Sequence, residues 1–205
     1  MSNAQRSKGS SRSRRPRRAS ALQPEYLLLG MLLERPSHGY ELHQRIAENL
    51  PGLWSISLSQ TYNLLKRMEN SADIKADPAP GGRSQTRYIF RVTDSGRSRF
   101  LHWLLQPTPA SVRAIRLVFL TRLHFTLHFQ ADRVLDLFET QRRQLDLSLR
   151  RLKRSSIPED GAIASRMAAD LRLRELKLVR AWLDDCQRSL EELNPPDGVE
   201  VNPNG

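Results

Sequence analysis

The chain has 205 residues, 33 Lys or Arg against 22 Asp or Glu, a formal charge of +11 and a single cysteine. That length supports one fair-sized domain or two small ones without disulfides or metal, and a lone Cys186 excludes both an intramolecular disulfide and a cysteine-based zinc site. The longest apolar run, Tyr26 to Leu33, falls far short of the roughly 20 residues that cross a bilayer, and the N-terminus lacks a secretory apolar core, so a cytoplasmic, nucleoid-associated protein with no membrane partner is expected.

The charge is unevenly placed. Arg6, Lys8, Arg12, Arg14, Arg15, Arg17 and Arg18 lie in residues 1–21, which contain no acid, so most of the excess belongs to a Ser- and Arg-rich arm. With almost no large apolar side chains, this arm is predicted to be disordered; it either meets phosphates or a minor groove, or stays solvated. From Leu22 apolar residues recur at helical spacing. Pro24 suits a first turn, the first helix should stop before Pro36, and Ser37 is read as the cap of a second helix that starts near Tyr40 and Glu41 and has Leu42, Ile46 and Leu50 on one face.

Ser57 and Gln60 have the form of a capping box and set the start of a third helix, Ser57 to Asn70. In that register Leu58, Thr61, Tyr62, Leu65 and Met68 form the stripe facing a core. The opposite face carries Ser59, Gln60, Asn63, Lys66 and Arg67, with no acid before Glu69. Amides pair with adenine edges, arginine with guanine and lysine with phosphate, so this face has the chemistry of a major-groove reader; the plainer alternative is a solvated polar back.

A two-stranded wing follows, from Asp73–Asp77 and Thr86–Val92 around a turn of Pro, Gly and Ser, with Arg83 at its tip and Arg87 opening the second strand; both arginines suit phosphate or minor-groove contact, or simple exposure. Thr93 to Gly96 should cap a fourth helix with Phe100, Leu101, Leu104 and Leu105 as its apolar side. Three helices, a hairpin and a further helix make a mainly α, winged helix-turn-helix module. Residues 1–21 are thus assigned to an arm, 22–106 to this module, 110–194 to a helical dimerisation domain and 195–205 to a tail.

At this point the residues resemble those of the PadR family of bacterial repressors. The likeness lies in Leu29 to Leu33, Ser37-His38-Gly39-Tyr40-Glu41-Leu42, Trp54 to Ser57, Thr61 to Glu69, and Arg87 to Thr93 with Gly96, across roughly residues 22–105. The resemblance implies that Tyr40, Tyr62 and Lys66 approach the DNA backbone while the outer face of the third helix reads bases. Two positions depart from it. Ala72 and Asp73 stand where the family has glycine and an apolar residue, which predicts a strained or altered exit from the third helix and a loose approach to the wing. Phe90 stands where tyrosine is usual.

The C-terminal half reads as long helices after Pro107 and Pro109. Ser111 to His128 is apolar all round and should be buried between partners. Asp132 caps a helix with Val134, Phe138, Leu145, Leu149 and Leu152 on one side, interrupted by Arg142. After a break at residues 157–161, a last helix carries a seam of Ala168, Leu171, Val179, Trp182, Cys186 and Leu193. Such stripes predict a homodimer built on Leu171, Val179, Trp182 and Cys186, against an alternative of an intrachain bundle; the family resemblance also implies a dimerising helical domain.

The expected partner is double-stranded DNA with a pseudo-palindromic operator, released by a small-molecule effector or another signal. Trp54, Trp103, Phe119 and Phe125 are either effector-pocket walls or core. His124 and His128 are four apart, but no cysteine or carboxylate stands beside them, so no metal is expected. No cofactor is expected either, and no catalytic motif is present. The rivals are a winged-helix protein-interaction module meeting an acidic partner, and a sensor or enzyme confined to the helical half.

Overall fold

The computed structural model describes residues 22–79, 88–154 and 162–193. The predicted arm, Arg83, Arg87 and the wing tip, the break at residues 157–161 and the tail after Asn194 lie outside them. Among the described residues no helix is long and apolar enough to cross a membrane.

Helix α1, Pro24–Glu34, opens with proline at its first position and buries Leu27 to Leu32 on every side. It is the central rod of the N-terminal module. Helix α2, Gly39–Asn49, packs Leu42 and Ile46 against it, with Leu50 at its end. Its N-cap is His38, and Ser37 is not the cap expected from sequence. Ser37 instead exchanges backbone hydrogen bonds with Phe90 (3.0 and 3.4 Å), and its hydroxyl donates to Arg35 O and accepts from Arg45. A serine before a helix has two uses, and here the strand-like one wins because a wing strand lies within reach.

Helix α3, Leu58–Asn70, starts at the predicted capping box: Gln60 N donates to Ser57 Oγ (3.2 Å) and Ser57 N to Gln60 Oε1 (2.9 Å). Its buried side is Thr61, Leu64, Leu65 and Met68. Tyr62, assigned to the core stripe by spacing, is exposed, and Leu64 takes the inward position. The helix ends in a Schellman motif, with Ala72 N donating to Glu69 O and Asp73 N to Met68 O (both 2.9 Å). Ala72 sits at φ 56, the left-handed conformation that glycine would adopt freely. The expected strain is therefore present.

The approach to the wing is not loose, however. Asp73 is buried, accepts from the Ser71 hydroxyl (2.6 Å) and pairs with Arg99, while its carbonyl accepts from Thr93 N (3.0 Å). A paired carboxylate thus holds a place where an apolar anchor was expected. A left-handed L-residue costs roughly 1–2 kcal/mol, and added glycine freedom in the unfolded chain returns roughly 0.4–1 kcal/mol of that. Ala72→Gly should therefore stabilise the chain by about 0.5–1 kcal/mol in urea unfolding; a loss of stability would show that the strain is illusory.

Strands β1, Ile74–Pro78, and β2, Tyr88–Val92, pair antiparallel with Ile74 opposite Val92 and Ala76 opposite Phe90. Thr93 caps α4, Asp94–Leu104, by accepting from Gly96 N (3.1 Å). The buried side of α4 is Phe100, Trp103 and Leu104; Leu105 lies outside the helix and is exposed, because Trp103 occupies the inward position.

The next helical run comprises α5, Val112–Ala114, a π-helical turn, Ile115–Phe119, and α6, Leu120–Phe129. It is buried, as its composition requires, but between two cores of its own chain. Val118 and Phe125 complete the core formed by α1 to α4, whereas Ile115 and Phe119 belong to a second core with α7 and α8. Phe125 meets Phe100 edge-on (5.4 Å between centroids) and lies so close to Gly30 that a β-carbon there would stand 2.2 Å from its ring.

Helix α7, Val134–Arg154, and α8, Ile163–Leu193, pack as an antiparallel pair within the chain. Arg180 reaches Asp146 (3.2 Å), and Arg142, which interrupts the apolar side of α7, pairs with Gln187 and Asp184 of α8. Thr108, between the prolines, is locked to the buried Gln141 of α7 through both backbone groups (2.8 and 3.0 Å).

Candidate nucleic-acid interface

The outward face of α3 carries Ser59, Gln60, Asn63, Lys66 and Arg67, all exposed, as the three-and-four spacing of its buried side requires. Tyr62 (47% exposed) and Tyr40 (56%) flank it from α3 and α2. These seven residues form one continuous surface. Gly39 permits it: a β-carbon there would stand 2.6 Å from the Tyr62 ring, so glycine lets the start of α2 lie directly under that tyrosine. Among the described residues Lys66 has no acidic partner within 4 Å, which leaves its ammonium free for a phosphate.

Two of the predicted readers are already engaged. The Gln60 amide oxygen is held by the capping box, which leaves its NH2 as a donor and removes the bidentate pairing an adenine edge would take. Arg67 is bridged by Glu25 of α1 (2.5 Å), an acid that the sequence places far away and the fold brings across. Ser59, Asn63 and Lys66 therefore make up the uncommitted part of the face.

Beside α3 runs a cleft of about 500 Å³. Its lining includes the apolar Leu53, Trp54 and Leu117 and the polar Asn63, Arg67, Arg113 and Arg116. Trp54 donates to Thr121 Oγ1 (2.7 Å) and lines this cleft, Trp103 lines a second opening, and Phe119 and Phe125 are core. Arg113 and Arg116 were missed by sequence reasoning. Their spacing was visible, but only the tertiary fold sets them beside α3, and among the described residues neither is paired with an acid.

The wing is tied to the same body, since His38 Nδ1 contacts Tyr88 O (2.9 Å) next to the bridge between Ser37 and Phe90. At the inner end of α1, Glu34 accepts from Arg45 (2.9 Å) and lies 3.4 Å from His124 of α6. Burial pushes this carboxyl up, but the neighbouring His124, then His128 and Arg45, outweigh that and hold it below its ordinary value.

The predicted dimer residues divide. Leu171 is 59% exposed on α8. Val179 is buried, Trp182 meets Phe119 edge-on (6.1 Å) and Cys186 is half-buried against the second core. The Val179, Trp182 and Cys186 part of that seam is occupied by the chain's own α7 and π-helical turn, which corrects the expectation that it lacked intrachain partners. The uncovered apolar side chains of α8 are Ile163, Met167, Leu171 and Leu178.

Residues 28–101, from α1 into α4, match the Transcriptional regulator PadR-like family. Over that segment the chain is similar to PadR-like transcriptional regulators. Among PadR relatives, the Negative transcriptional regulator PadR of Bacillus subtilis strain 168 is 29% identical over 128 residues, 60% of this chain and 69% of its own length. A probable transcriptional regulator of Mycobacterium tuberculosis is 28% identical over 82 residues, covering 40% of this chain and 43% of its own. A crystal structure of Bacillus subtilis PadR in complex with operator DNA aligns at 22% identity over 81% of this chain and 98% of that one, with a TM-score of 0.40. The PadR-like segment contains every described residue of the proposed reading surface, Tyr40 and Ser59 to Arg67.

Proposed function

We propose that this protein is a homodimeric repressor that binds a pseudo-palindromic operator near its own or a neighbouring promoter. The observation that carries the reading is the exposed face of α3, where Ser59, Asn63 and Lys66 stand uncommitted among the described residues, with Tyr62 exposed on the same helix and Tyr40 on α2. Asn63 and Ser59 are the base readers in this reading. Lys66, Tyr40 and Tyr62 hold the backbone, and Arg83 and Arg87 of the wing extend the contact. The Bacillus subtilis relative is a negative transcriptional regulator, which supports repression as the outcome.

One reading helix spans only a few base pairs, whereas a two-fold pair spans half-sites about 34 Å apart and multiplies their discrimination. The dimer contact is assigned to the exposed α8 face of Met167, Leu171 and Ile163, because burying exposed methionine and leucine is favourable and nothing among the described residues covers them. Release by a small molecule follows the same geometry. The run from Val112 to Phe129 packs into both cores, so a shift in it would change the separation of the two reading helices.

The test is a gel shift on the upstream region of the gene. Affinity should fall on the order of a thousandfold between about 50 and 200 mM salt. A Met167→Glu, Leu171→Glu variant should sediment as a monomer and lose the sequence-selective band while keeping its helical circular dichroism. Absence of a selective band at any salt would favour an acidic protein as the partner of this surface, and a monomeric wild type would reject the dimer.

A further inference from the structure

The cleft beside α3 lies on one definite flank of that helix. At about 3.6 residues per turn, Gln60, Asn63 and Arg67 project toward one side of the outward face and Tyr62 toward the other, where Gly39 of α2 lies against it. The cleft is lined by the first set and not by Tyr62. From the helical half it is lined by Arg113 of α5 and by Arg116 and Leu117 of the π-helical turn.

Burial fixes which way this run faces. Ala114, Ile115, Leu117, Val118 and Phe119 are all buried, so Arg113 and Arg116 take its exposed side. The run is also tied to the entry of α3, because Trp54 donates to Thr121 Oγ1 (2.7 Å) and lines the same cleft as Leu117. Among the described residues lining the cleft, three are arginines and none is acidic. Glu25, which is not one of them, answers Arg67, whereas neither Arg113 nor Arg116 has an acid within ion-pair distance among the described residues. Like charges gathered in one concavity repel one another and raise the local positive potential, and a polyanion relieves both.

We infer that this cleft receives the sugar-phosphate backbone of the operator strand on the side of α3 away from Tyr40, with Arg113 and Arg116 donating to its phosphates. The inference rests on the operator binding proposed above and extends it to the helical half. A duplex with a helix in its major groove presents one backbone along each flank of that helix. Tyr40 and Tyr62 serve one of these. For the other, the winged module offers Arg67, whose charge Glu25 partly offsets, and the helical half supplies two more guanidiniums. The cleft is continuous with the reading face, since Asn63 and Arg67 belong to both. The helical half is then itself a DNA-contacting element.

The test compares the double variant Arg113→Gln, Arg116→Gln with the wild type by gel shift on the upstream fragment across a salt series. Affinity should fall on the order of a hundredfold at about 0.1 M salt, the salt slope should drop by about two per protomer, and the deficit should narrow as salt rises. Arg113→Lys, Arg116→Lys keeps the charge and should restore most of the slope, which a merely structural role of these side chains does not predict. Both positions are exposed, so Tm should hold in either variant. Phosphate ethylation interference locates the contact: the glutamine variant should lose phosphates that Tyr40→Ala retains, across the major groove from those that Tyr40→Ala loses. An unchanged slope in the glutamine variant, or loss of the same phosphates in both, would overturn the inference and leave the operator reading standing. A wild type that gives no selective band would overturn that reading, and the inference with it.

Discussion

Reversing one charge on the reading surface, Lys66→Glu, should weaken operator binding on the order of a hundredfold and leave the fold intact. The side chain is exposed and, among the described residues, has no acidic partner, so the free protein loses no ion pair when it changes. On DNA the consequence is twofold. One phosphate contact disappears, which lowers the salt dependence by about one unit of slope. A carboxylate also faces a phosphate, and such like-charge pairs cost several kcal/mol. Gel shift across a salt series separates the two parts, and Lys66→Ala isolates the first. Should Lys66→Glu bind the operator as the wild type does, with unchanged slope, the proposed docking surface is wrong. The contrast with Arg67 is informative, since its bridge to Glu25 already offsets part of its charge and its removal should matter less.

The second large effect concerns how the winged module is joined to the helical half. Gly30→Ala should destabilise the chain by about 1–3 kcal/mol, because the new methyl would stand 2.2 Å from the Phe125 ring, which is wholly buried and cannot withdraw. Phe125→Ala should cost about 3–5 kcal/mol through the lost edge contact with Phe100 and the cavity it leaves. The decisive measurement is the double variant. With the ring gone, the Gly30 methyl enters vacated space, so the two costs should fall short of additivity by about 1–3 kcal/mol. Additive losses in urea unfolding would mean that the approach of α1 to α6 is looser than the structure has it.

Local rules carried the N-terminal module well. Ser57 and Gln60 fixed the start of α3 because a capping box is made by residues three apart, and the outward set from Ser59 to Arg67 followed from helical geometry alone. Thr93 was legible for the same reason. Where two local signals competed, contacts from afar decided. Ser37 had the chemistry of a cap, but Phe90 drew it into a bridge. Tyr62 fitted the core stripe by spacing, but Leu64 was the better inward residue once α1 lay beside it. Asp73 looked like a flaw in the wing until Arg99, 26 positions on, supplied its partner.

The helical half was harder, because an amphipathic stripe announces that it needs cover without saying whose. Val179 and Trp182 find theirs in α7 and the π-helical turn, whereas among the described residues Met167 and Leu171 find none. The engagement of Arg67 by Glu25 and the placement of Arg113 and Arg116 beside α3 were likewise out of reach of sequence, since all depend on how distant helices meet.

The rungs between Ser37 and Phe90, with His38 on Tyr88, bear on how such a molecule would handle a duplex. Fastened to the start of the second helix at two successive residues, the hairpin has little independence at its root. Any load applied to it passes through the backbone into the helix that carries Tyr40. Its grip on one groove and the seating of α3 in the next would then be a single adjustment, and a sequence whose grooves are spaced differently would be refused by stiffness alone, before any base edge is read.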